Sequence, residues 1–397
     1  VRIGLLVGAN GYVRVVQLRY NFRLYPTPGQ QIALTRAFGC ARVVFNDGLR
    51  LRQQARESGS PYIKDSALQT MVITEAKKTP ERVWLAEVSS VVLVQALADL
   101  HAAYRNFFAS ANGKRKGPKV APPRFRSRKD NRQSIRLTRN GFGLRPNGKL
   151  YVAKVGEVRV SWSRALPSVP SSVTVTVDSA GRYFASFVVK TSTEPLVPVT
   201  SEVGIDLGLT TFAVLSNGKR IESPRFFRRA ERRLRKAQKV LSRKEKGSAN
   251  RAKARLGVAR AHAGVADTRR DWAHKQSTAI IRENQAVFVE DLCIKGLART
   301  RLAKSIHDAG WGVFTRMLQE KAVRYGRIFG KVDRFFPSSQ QCSACGWVDG
   351  AKPLGVREWT CSCGVSHDRD LNAARNILAA GRADKFNACG GTVSLSA

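Results

Sequence analysis

The stretch Val-Gly-Ile-Asp-Leu-Gly at residues 203–208 sets one carboxylate, Asp206, inside an apolar run. A second apolar run, Ala-Val-Phe-Val, ends directly in Glu290. A third acidic residue, Asp370, lies in His-Asp-Arg-Asp-Leu-Asn, where we expect a helix to begin. Short apolar runs of this kind are typical of buried strands. The pattern therefore places carboxylates at the ends of three secondary-structure elements.

Three carboxylates brought to one place would suit hard divalent cations. Mg²⁺ prefers carboxylate, water and phosphate oxygens, and two ions about 3.5–4 Å apart can stabilise both the attacking and the leaving oxygen of a phosphodiester. One carboxylate must then bridge both ions, and Asp206 is our candidate, with Gly204 and Gly208 leaving room for a phosphate. Gly-Ile-Asp-Leu-Gly also occurs in actin-like ATPases, and an acid at a helix start can simply favour the helix dipole, so each motif alone leaves the metal interpretation open.

The rest of the chain is strongly basic. Its 397 residues include 69 Lys+Arg against 29 Asp+Glu, which gives a formal net charge of +40. A hydrophobic fraction of 43% excludes a disordered basic tail, and the spread of positive charge indicates a nucleic-acid-binding protein. A ribosomal or membrane-surface protein is the alternative, but ribosomal proteins are usually much shorter. Carboxylates held near a polyanion therefore point to a metal-dependent nuclease.

Composition also predicts the compartment. No run of 18 apolar residues exists, so we expect no transmembrane helix and no membrane partner. The apolar stretch at residues 1–7 is too short for a signal peptide. An odd count of seven cysteines favours a reducing cytoplasm and a metal site over a disulfide framework.

The first half of the chain changes pattern twice. Residues 12–25 alternate like a strand, and Thr27 and Gln30 then have the spacing of a capping box. Further helices are predicted over 65–77 and 84–109. Short alternating runs between residues 134 and 192 predict an antiparallel sheet or small barrel, which the strand before the helices is expected to join.

From residue 203 strands and helices alternate. Strands 203–207 and 211–215 and a third after Asn217-Gly218 predict a meander. Residues 225–260 form a long basic helical pattern. A surface helix hairpin is the alternative, but the charge density favours a helix that cradles a nucleic-acid strand. Helices are predicted over 268–283 and 312–326, and a strand over 331–335.

Two basic segments are candidates for nucleic-acid contact, although charge runs are more often solvated surface. In residues 113–132 an aromatic side chain stands between arginines, as in Arg124, Phe125 and Arg126. The basic helical pattern and the expected helix start add Arg232, Arg235, Lys236, Lys239 and Arg369.

Four cysteines form two close pairs. Cys342-Ser-Ala-Cys345 is followed by Cys361-Ser-Cys363. Two thiolate pairs fit a structural zinc ribbon. The second pair has one intervening residue instead of two, which leaves open whether one cysteine ligand is strained or His367 takes its place.

Together these motifs resemble the TnpB family, the RNA-guided DNA endonucleases of bacterial insertion sequences, regarded as the ancestor of type V CRISPR effectors. The resemblance covers residues from about 20 to 390. The motifs that carry it are Asn-Phe-Arg-Leu-Tyr-Pro (21–26), Phe-Asn (45–46), Ala-Tyr-Arg-Asn-Phe-Phe (103–108), Pro-Arg-Phe (123–125), Gly-Ile-Asp-Leu-Gly (204–208), Glu-Asp-Leu (290–292), Asp-Ala-Gly-Trp-Gly (308–312), Phe-Pro-Ser-Ser-Gln (336–340), Cys-x-x-Cys-Gly (342–346), Trp-Thr-Cys (359–361) and His-Asp-Arg-Asp-x-Asn-Ala-Ala (367–374).

The resemblance implies a multidomain α+β fold in which an RNase H-like (RuvC) nuclease domain receives an inserted zinc ribbon. It also implies a helical recognition domain and an antiparallel β-barrel wedge domain. The catalytic, Mg²⁺-binding triad falls on Asp206, Glu290 and Asp370, and the role of Asp368 stays open. The implied boundaries are 1–25 (N-terminal extension and first wedge strand), 26–125 (recognition), 126–198 (wedge), 199–338 (nuclease with basic insertion), 339–366 (zinc ribbon), 367–380 (last nuclease helix) and 381–397 (tail).

The resemblance also implies the partners. These are a guide RNA from the element end and double-stranded target DNA beside a short motif, with two Mg²⁺ ions (Mn²⁺ as an alternative) and one structural Zn²⁺. The protein would act as a monomer with RNA, near the bacterial nucleoid. Base pairing then reads the sequence, and the charge of +40 holds the nucleic acids. A guide-dependent repressor and a transposase of the same fold class are the alternatives; such repressors typically lack one of the three acids.

Overall fold

The computed structural model describes residues 3–8, 11–130, 132–192, 195–353 and 355–388. Residues 389–397 of the predicted tail, and four residues of the predicted N-terminal extension, lie outside this part. The chain divides into two compact units, whose main segments are Val15–Thr191 and Ser192–Ala397. Among the described helices, none has the length and apolarity needed to cross a bilayer.

The helices of the first unit follow the predicted strand. Helix α1 (Pro28–Glu57) begins with the predicted capping box, since the Thr27 N–H donates to Gln30 Oε1 (3.0 Å) and the Gln30 N–H donates to Thr27 Oγ1 (3.4 Å). Two helix predictions were partly wrong. The segment from residue 65 is α-helical only in α2 (Asp65–Gln69) and continues as π and 3-10 turns to Lys78. Helix α3 (Ser90–Ala111) begins later than predicted, because a separate 3-10 turn and the extended Val88 precede it.

The strands of the first unit form one antiparallel, nearly closed sheet. Strand β2 precedes the helices yet pairs with β6 behind them, with Leu24 opposite Val160, so the predicted helical insertion is confirmed. The two ends of the sheet, β3 and β4, are joined by the single turn Arg139–Gly141. The order is β3-β7-β8-β2-β6-β5-β4, with β1 paired to β2, for β1 (Ile3–Gly8), β2 (Gly11–Tyr25), β3 (Gln133–Thr138), β4 (Phe142–Leu144), β5 (Leu150–Val152), β6 (Gly156–Ser161), β7 (Ser172–Val177) and β8 (Tyr183–Ser192).

One hydrophobic core serves the helices and the sheet of this unit. Alternate residues of β7, Val173 and Val175, are buried, as expected for strands that are covered on one face. Leu34 of α1 and Leu93 of α3 pack into the same cluster. The unit is therefore a mixed α+β structure.

The second unit is built on a five-stranded mixed sheet. The predicted meander is confirmed as β9 (Glu202–Leu207), β10 (Thr211–Leu215) and β11 (Arg220–Glu222). Strands β12 (Ala286–Glu290) and β13 (Ile328–Val332) extend it in parallel, in the order β11-β10-β9-β12-β13.

Helices surround this sheet, and a small hairpin precedes the helix of Asp370. The basic helical pattern is divided between two helices, α4 and α5, which are separated by residues 243–248 and which we call the basic hairpin. The bounds are α4 (Phe226–Ser242), α5 (Ala249–Glu283), α6 (Ile294–Leu297), α7 (Ala303–Ala309), α8 (Trp311–Arg324), β14 (Glu358–Thr360), β15 (Ser366–Asp368) and α9 (Arg369–Ala388).

The predicted strand over 331–335 was wrong by three residues. The observed strand β13 starts at Ile328, where its N–H donates to the carbonyl of Gln285 (2.9 Å). Asp333 then ends it, because its side chain accepts the N–H of Phe335 (2.8 Å) and its carbonyl accepts that of Phe336 (3.2 Å). A local turn thus overrides the alternating apolar pattern.

Each face of the sheet is covered by helices. On one face Ile205 and Val289 pack with residues of α5 and α8, including the buried Phe314. On the other, Phe288 packs with Ile377 of α9. Alternation along a strand then assigns Asp206 and Glu290 to the α9 face, because Gly204 and Phe288 stand two residues before them.

Candidate metal-binding active site

The ends of two parallel strands bring Asp206 and Glu290 together. Strands β9 and β12 are adjacent and parallel, with Val289 paired to Ile205. Asp206 and Glu290 are the next residues of each strand, so they stand side by side at the carboxyl edge of the sheet. Residues in register on neighbouring strands point to the same face. The two carboxylates therefore share one face and one edge.

Helix α9 brings the third carboxylate to this edge. Its backbone packs on β9 at Gly204, where an added β-carbon would collide with the carbonyl oxygen of Ala374 and stand 2.5 Å from the amide nitrogen of Leu378. Asp370 lies about one helical turn before Ala374, toward Asp206. The room that we assigned to a phosphate at Gly204 is thus taken by α9, which corrects that interpretation.

The electrostatics of Asp206 reflect the nearness of the other two acids. Burial raises the pKa of Asp206 to about 7, and the negative charges of Asp370 and Glu290 add to the rise. Arg369 and Arg357 act in the opposite direction. Burial also raises the pKa of Glu290. We call Asp206, Glu290 and Asp370 the acidic site; it concentrates negative charge in a partly dehydrated place, which a bound cation would neutralise.

Two neighbouring acids have structural partners instead. Asp368 Oδ1 accepts the N–H of Leu371 (2.8 Å) at the start of α9, and Oδ2 accepts from Arg220 (2.7 Å). Burial opposes its ionisation, but these hydrogen bonds hold its pKa below the usual range. Asp291 pairs with Lys331 (2.8 Å) and Arg334 (2.7 Å). Asp368 is therefore a helix cap, which the sequence pattern alone left open.

A cation of the protein already neighbours Asp370. The Arg357 guanidinium donates to both carboxylate oxygens of Asp370 at 3.2 Å. Beside Glu290 lies a cavity of about 200 Å³ between the strand ends and α8. Its walls include Leu207, Ile294, Gly312 and the cationic side chains of Arg316 and Lys331. The charged residues of this lining are therefore two acids, Glu290 and Asp291, and two cations, of which Lys331 is paired with Asp291 and Arg316 is available to a phosphate.

The four paired cysteines come together as one cluster. Their Sγ atoms all lie within 4.8 Å of one another. Cys342 and Cys363 are 3.8 Å apart, and Cys345 and Cys361 are 3.7 Å apart. Zn–S bonds of about 2.3 Å in a tetrahedron require sulfur–sulfur edges of about 3.8 Å. The cluster can therefore hold zinc.

His367 does not replace a cysteine in this set. Its Nε2 lies 3.0 Å from Cys342 Sγ, as a hydrogen-bond partner of that sulfur. The imidazole is buried against Trp359, with ring centroids 4.9 Å apart. The short spacing of Cys361 and Cys363 thus still brings both sulfurs to the cluster.

Two asparagines of α9 tie the cysteine cluster to the acidic site, and the sequence analysis missed their role. Asn372 accepts the N–H of Ser343 (2.8 Å) and donates to the carbonyl of Gln341 (2.7 Å). Asn376 donates to the carbonyls of Ser338 (2.8 Å) and Gln341 (2.6 Å). Both asparagines are buried, and their placement one turn apart was the available signal. The first cysteine pair is thereby held on the helix that carries Asp370.

The predicted nucleic-acid contacts differ in their surroundings. Arg124 and Phe125 are exposed, whereas Arg126 lies over the Phe45 ring (3.8 Å) and pairs with Asp99 (3.4 Å). On α4 the candidates Arg232, Arg235, Lys236 and Lys239 are exposed, and Arg235 also pairs with Glu231 (2.9 Å). Arg369 donates to the carbonyl of Pro353 (2.8 Å).

Comparison with known families gives three matches along the chain. Residues 174–301 match the family OrfB_IS605, described as "Probable transposase". Residues 311–377 match "Cas12f1-like, TNB domain", and residues 16–60 match a "Helix-turn-helix domain" of OrfB_IS605 proteins. In this chain, residues 16–60 consist mainly of strand β2 and the single long helix α1.

Two curated relatives and one solved structure are similar over nearly the whole chain. "Putative RNA-guided DNA endonuclease" of Streptomyces pristinaespiralis is 47% identical, over 94% of this chain and 91% of the relative. "Putative RNA-guided DNA endonuclease InsQ" of Escherichia coli K12 is 32% identical, over 94% and 93%. A Cas12f1–sgRNA–target DNA complex solved by cryo-EM shares the fold at a TM-score of 0.54 and 14% identity, over 88% of this chain and 82% of that one. Both of these curated relatives carry the words "Putative RNA-guided DNA endonuclease" in their names, and the chain belongs to the TnpB-type OrfB family of insertion sequences.

Proposed function

We propose that this protein is an RNA-guided, metal-dependent endonuclease that cuts double-stranded DNA beside a short motif. The observation that carries the proposal is the convergence of Asp206, Glu290 and Asp370 at the carboxyl edge of the sheet. Burial, with the two acidic neighbours adding to its effect, raises the pKa of Asp206 to about 7 there. Three acids that repel each other at a partly buried place are costly unless a cation joins them. The sheet order β11-β10-β9-β12-β13, with only the strands of the meander antiparallel, supports an RNase H-like (RuvC) nuclease domain.

The carboxylate oxygens of Asp206, Glu290 and Asp370 would hold two Mg²⁺ or Mn²⁺ ions, since these hard cations prefer oxygen ligands. When bound, such ions supply a water nucleophile at neutral pH and stabilise the leaving oxygen. The protein's own residues do the positioning. Strands β9 and β12 fix two carboxylates in register, and α9 fixes the third. Arg316, in the cavity wall, would attract and orient a phosphate.

The remaining parts of the chain would bind and place the nucleic acids. Zinc on Cys342, Cys345, Cys361 and Cys363 would be structural, since all four positions around the metal are taken by sulfur. The basic hairpin and the segment around Arg124 and Phe125 would contact phosphates and bases. Guide RNA from the element end would read the target by base pairing.

Plasmid cleavage tests the proposal. The protein is co-expressed with RNA from the flank of its own gene, purified, and supplied with Mg²⁺ and a plasmid library that has a randomised sequence beside the target. Guide-dependent cutting next to an enriched motif is expected. Asp206→Ala, Glu290→Ala and Asp370→Ala should each abolish cutting and leave RNA binding nearly unchanged.

The same experiment separates the alternatives. Tight guide-dependent binding without cutting would identify a repressor instead. Rejoined DNA ends would identify a transposase. A triad variant that still cuts at the wild-type rate would remove that residue from the acidic site.

A further inference from the structure

One buried carboxylate, that of Asp308 on α7, fastens both helices of the basic hairpin. It accepts the backbone N–H groups of Phe227 (2.7 Å) and Arg228 (3.3 Å) in the first turn of α4. It also accepts from the guanidinium of Arg269 on α5 (3.0 Å). The Asp308 side chain is 5% exposed. Both helices of the hairpin are thus held by one residue of a third helix.

Asp308 supplies an acceptor for the first turn of α4, which has no side-chain cap of its own. The residue before its first turn is Arg225, which has a left-handed backbone (φ 48°) and makes no side-chain cap. The first N–H groups of a helix need acceptors, and a negative charge is favourable there. Two exposed side-chain hydrogen bonds also join α4 to α7. Arg228 donates to Ser305 (2.9 Å), and Lys304 donates to Glu231 (2.8 Å).

Helix α7 in turn belongs to the segment that leaves the acidic site. This segment starts after Glu290, runs through α6 and α7, and returns at the start of α8. Both of its ends wall the cavity beside Glu290, through Ile294 and Gly312. Arg269 also packs on Gly310, since a β-carbon there would lie 3.0 Å from its Cδ. Gly310 has φ 71° and forms the junction of α7 and α8.

We propose that Asp308 is a positioning residue that couples nucleic-acid binding on the basic hairpin to the geometry of the cavity beside Glu290. The proposal rests on the proposed function. Phosphates that bind the exposed cations of α4 would settle the hairpin in one position. Through the contacts of Asp308 and Arg269, the position of the hairpin would determine the position of α7 and Gly310. The position of Gly310 would in turn determine that of the cavity wall at Gly312. Asp308 acts only through these neighbours and touches no reacting atom.

Two variants and one control test this coupling. Asp308→Asn keeps an oxygen that can accept the Phe227 N–H but removes the charge that faces Arg269, and Asp308→Ala removes both. Glu75→Gln is the matched control, because Glu75 is an exposed acid outside the basic hairpin that pairs with Lys78 (3.1 Å). Amide hydrogen exchange of the full chain is measured with and without the co-purified RNA. Single-turnover cleavage and RNA affinity are measured in parallel.

In the wild type, RNA should slow exchange both in α4 and in residues 303–312. Asp308→Ala should keep the RNA-induced protection of α4 but lose that of 303–312. Its cleavage rate should fall about tenfold to a hundredfold at unchanged RNA affinity, as expected when reacting groups are misplaced by about 1 Å. For Asp308→Asn, both the protection of 303–312 and the cleavage rate should lie between those of the wild type and of Asp308→Ala. The control should match the wild type in both.

The outcomes separate this proposal from the proposed function. RNA-induced protection of 303–312 that is equal in Asp308→Ala, Asp308→Asn and wild type overturns the coupling. The same conclusion follows if RNA protects 303–312 but not α4 in the wild type. Exchange that follows the expected pattern in a protein that does not cut supports the coupling and refutes the nuclease activity. If Asp308→Ala does not fold, Asp308→Asn alone decides, since it keeps the helix acceptor.

Discussion

The substitution Gly204→Ala tests whether the direct packing of α9 on β9 sets the geometry of the acidic site. The added methyl carbon would lie 2.5 Å from the amide nitrogen of Leu378, and its closest neighbour would be the carbonyl of Ala374. Ordinary van der Waals contact begins at 3.4 Å. The obstacle is backbone, which cannot rotate away as a side chain would. Helix α9 must therefore shift by about 1 Å, and Asp370 shifts with it.

The size of the effect follows from this shift. Overpacking of a core typically costs about 1–3 kcal/mol, and a backbone obstacle places Gly204→Ala at the upper end. For a unit of this size that corresponds to a melting temperature lower by about 5–10 °C. Because a misplacement of about 1 Å can cost about a hundredfold in rate, cleavage should fall by that order. Affinity for RNA should stay unchanged, since the exposed cations of α4 are untouched.

Calorimetry and single-turnover cleavage at saturating RNA measure both effects. Gly257→Ala on α5 is the control, because no atom lies within 4 Å of the position its β-carbon would take. Alanine is favoured over glycine inside a helix by about 0.8–1 kcal/mol, so the control should be slightly more stable and equally active. A Gly204→Ala protein with wild-type melting and wild-type cleavage would refute the packing argument.

Three further predictions concern zinc, pH and the link between the two sites. Cys345→Ser should lower both the zinc content, measured by metal analysis, and the thermal stability, measured by melting. An unchanged zinc stoichiometry would refute the zinc-ribbon interpretation. Burial and the two neighbouring acids raise the pKa of Asp206 from 3.8 to about 7, so the metal-free folded state binds an extra proton and should lose stability as pH rises from about 4 to 7. Asp206→Asn should flatten the plot of melting temperature against pH over this range. An unchanged slope would show that Asp206 is not the group responsible for the pH dependence. Asn372→Ala removes two buried hydrogen bonds and should destabilise by about 1–3 kcal/mol in denaturant titration; a change within error would show that the cysteine cluster is held on α9 by other contacts.

Local patterns in the sequence predicted local structure well. The capping box at Thr27 depends only on residues three apart, and the meander after Gly204 on alternation and one Asn-Gly turn. The cysteine cluster was predicted because paired thiols have few other uses in a reducing compartment. Confirmation of the mixed α+β fold and of the family came from structure and relatives, while the catalytic role of the acidic site stays a prediction.

Features that depend on long-range contacts were not predictable from the chain alone. The register of β13 follows from Gln285 and Asp333, and no periodicity marks their effect. Gly204 was interpreted as space for a phosphate, because nothing near it in sequence indicates that α9 would fill that space. Asp308 likewise sits in a recognisable motif, yet its acceptor role requires α4 and α5 to meet α7, which only the folded structure brings about.

The separation of the three acids along the chain has a consequence for protein synthesis. Asp370 lies 164 residues after Asp206, and a ribosome adds about 5–20 residues per second. About 8–33 seconds must therefore pass between the emergence of the first carboxylate and that of the third. The basic hairpin leaves the ribosome within this interval, before Asp370, and can then contact nucleic acid. A product that stops before α9 would therefore carry cations that can bind phosphates but would lack a complete acidic site, so incomplete synthesis is expected to leave DNA uncut.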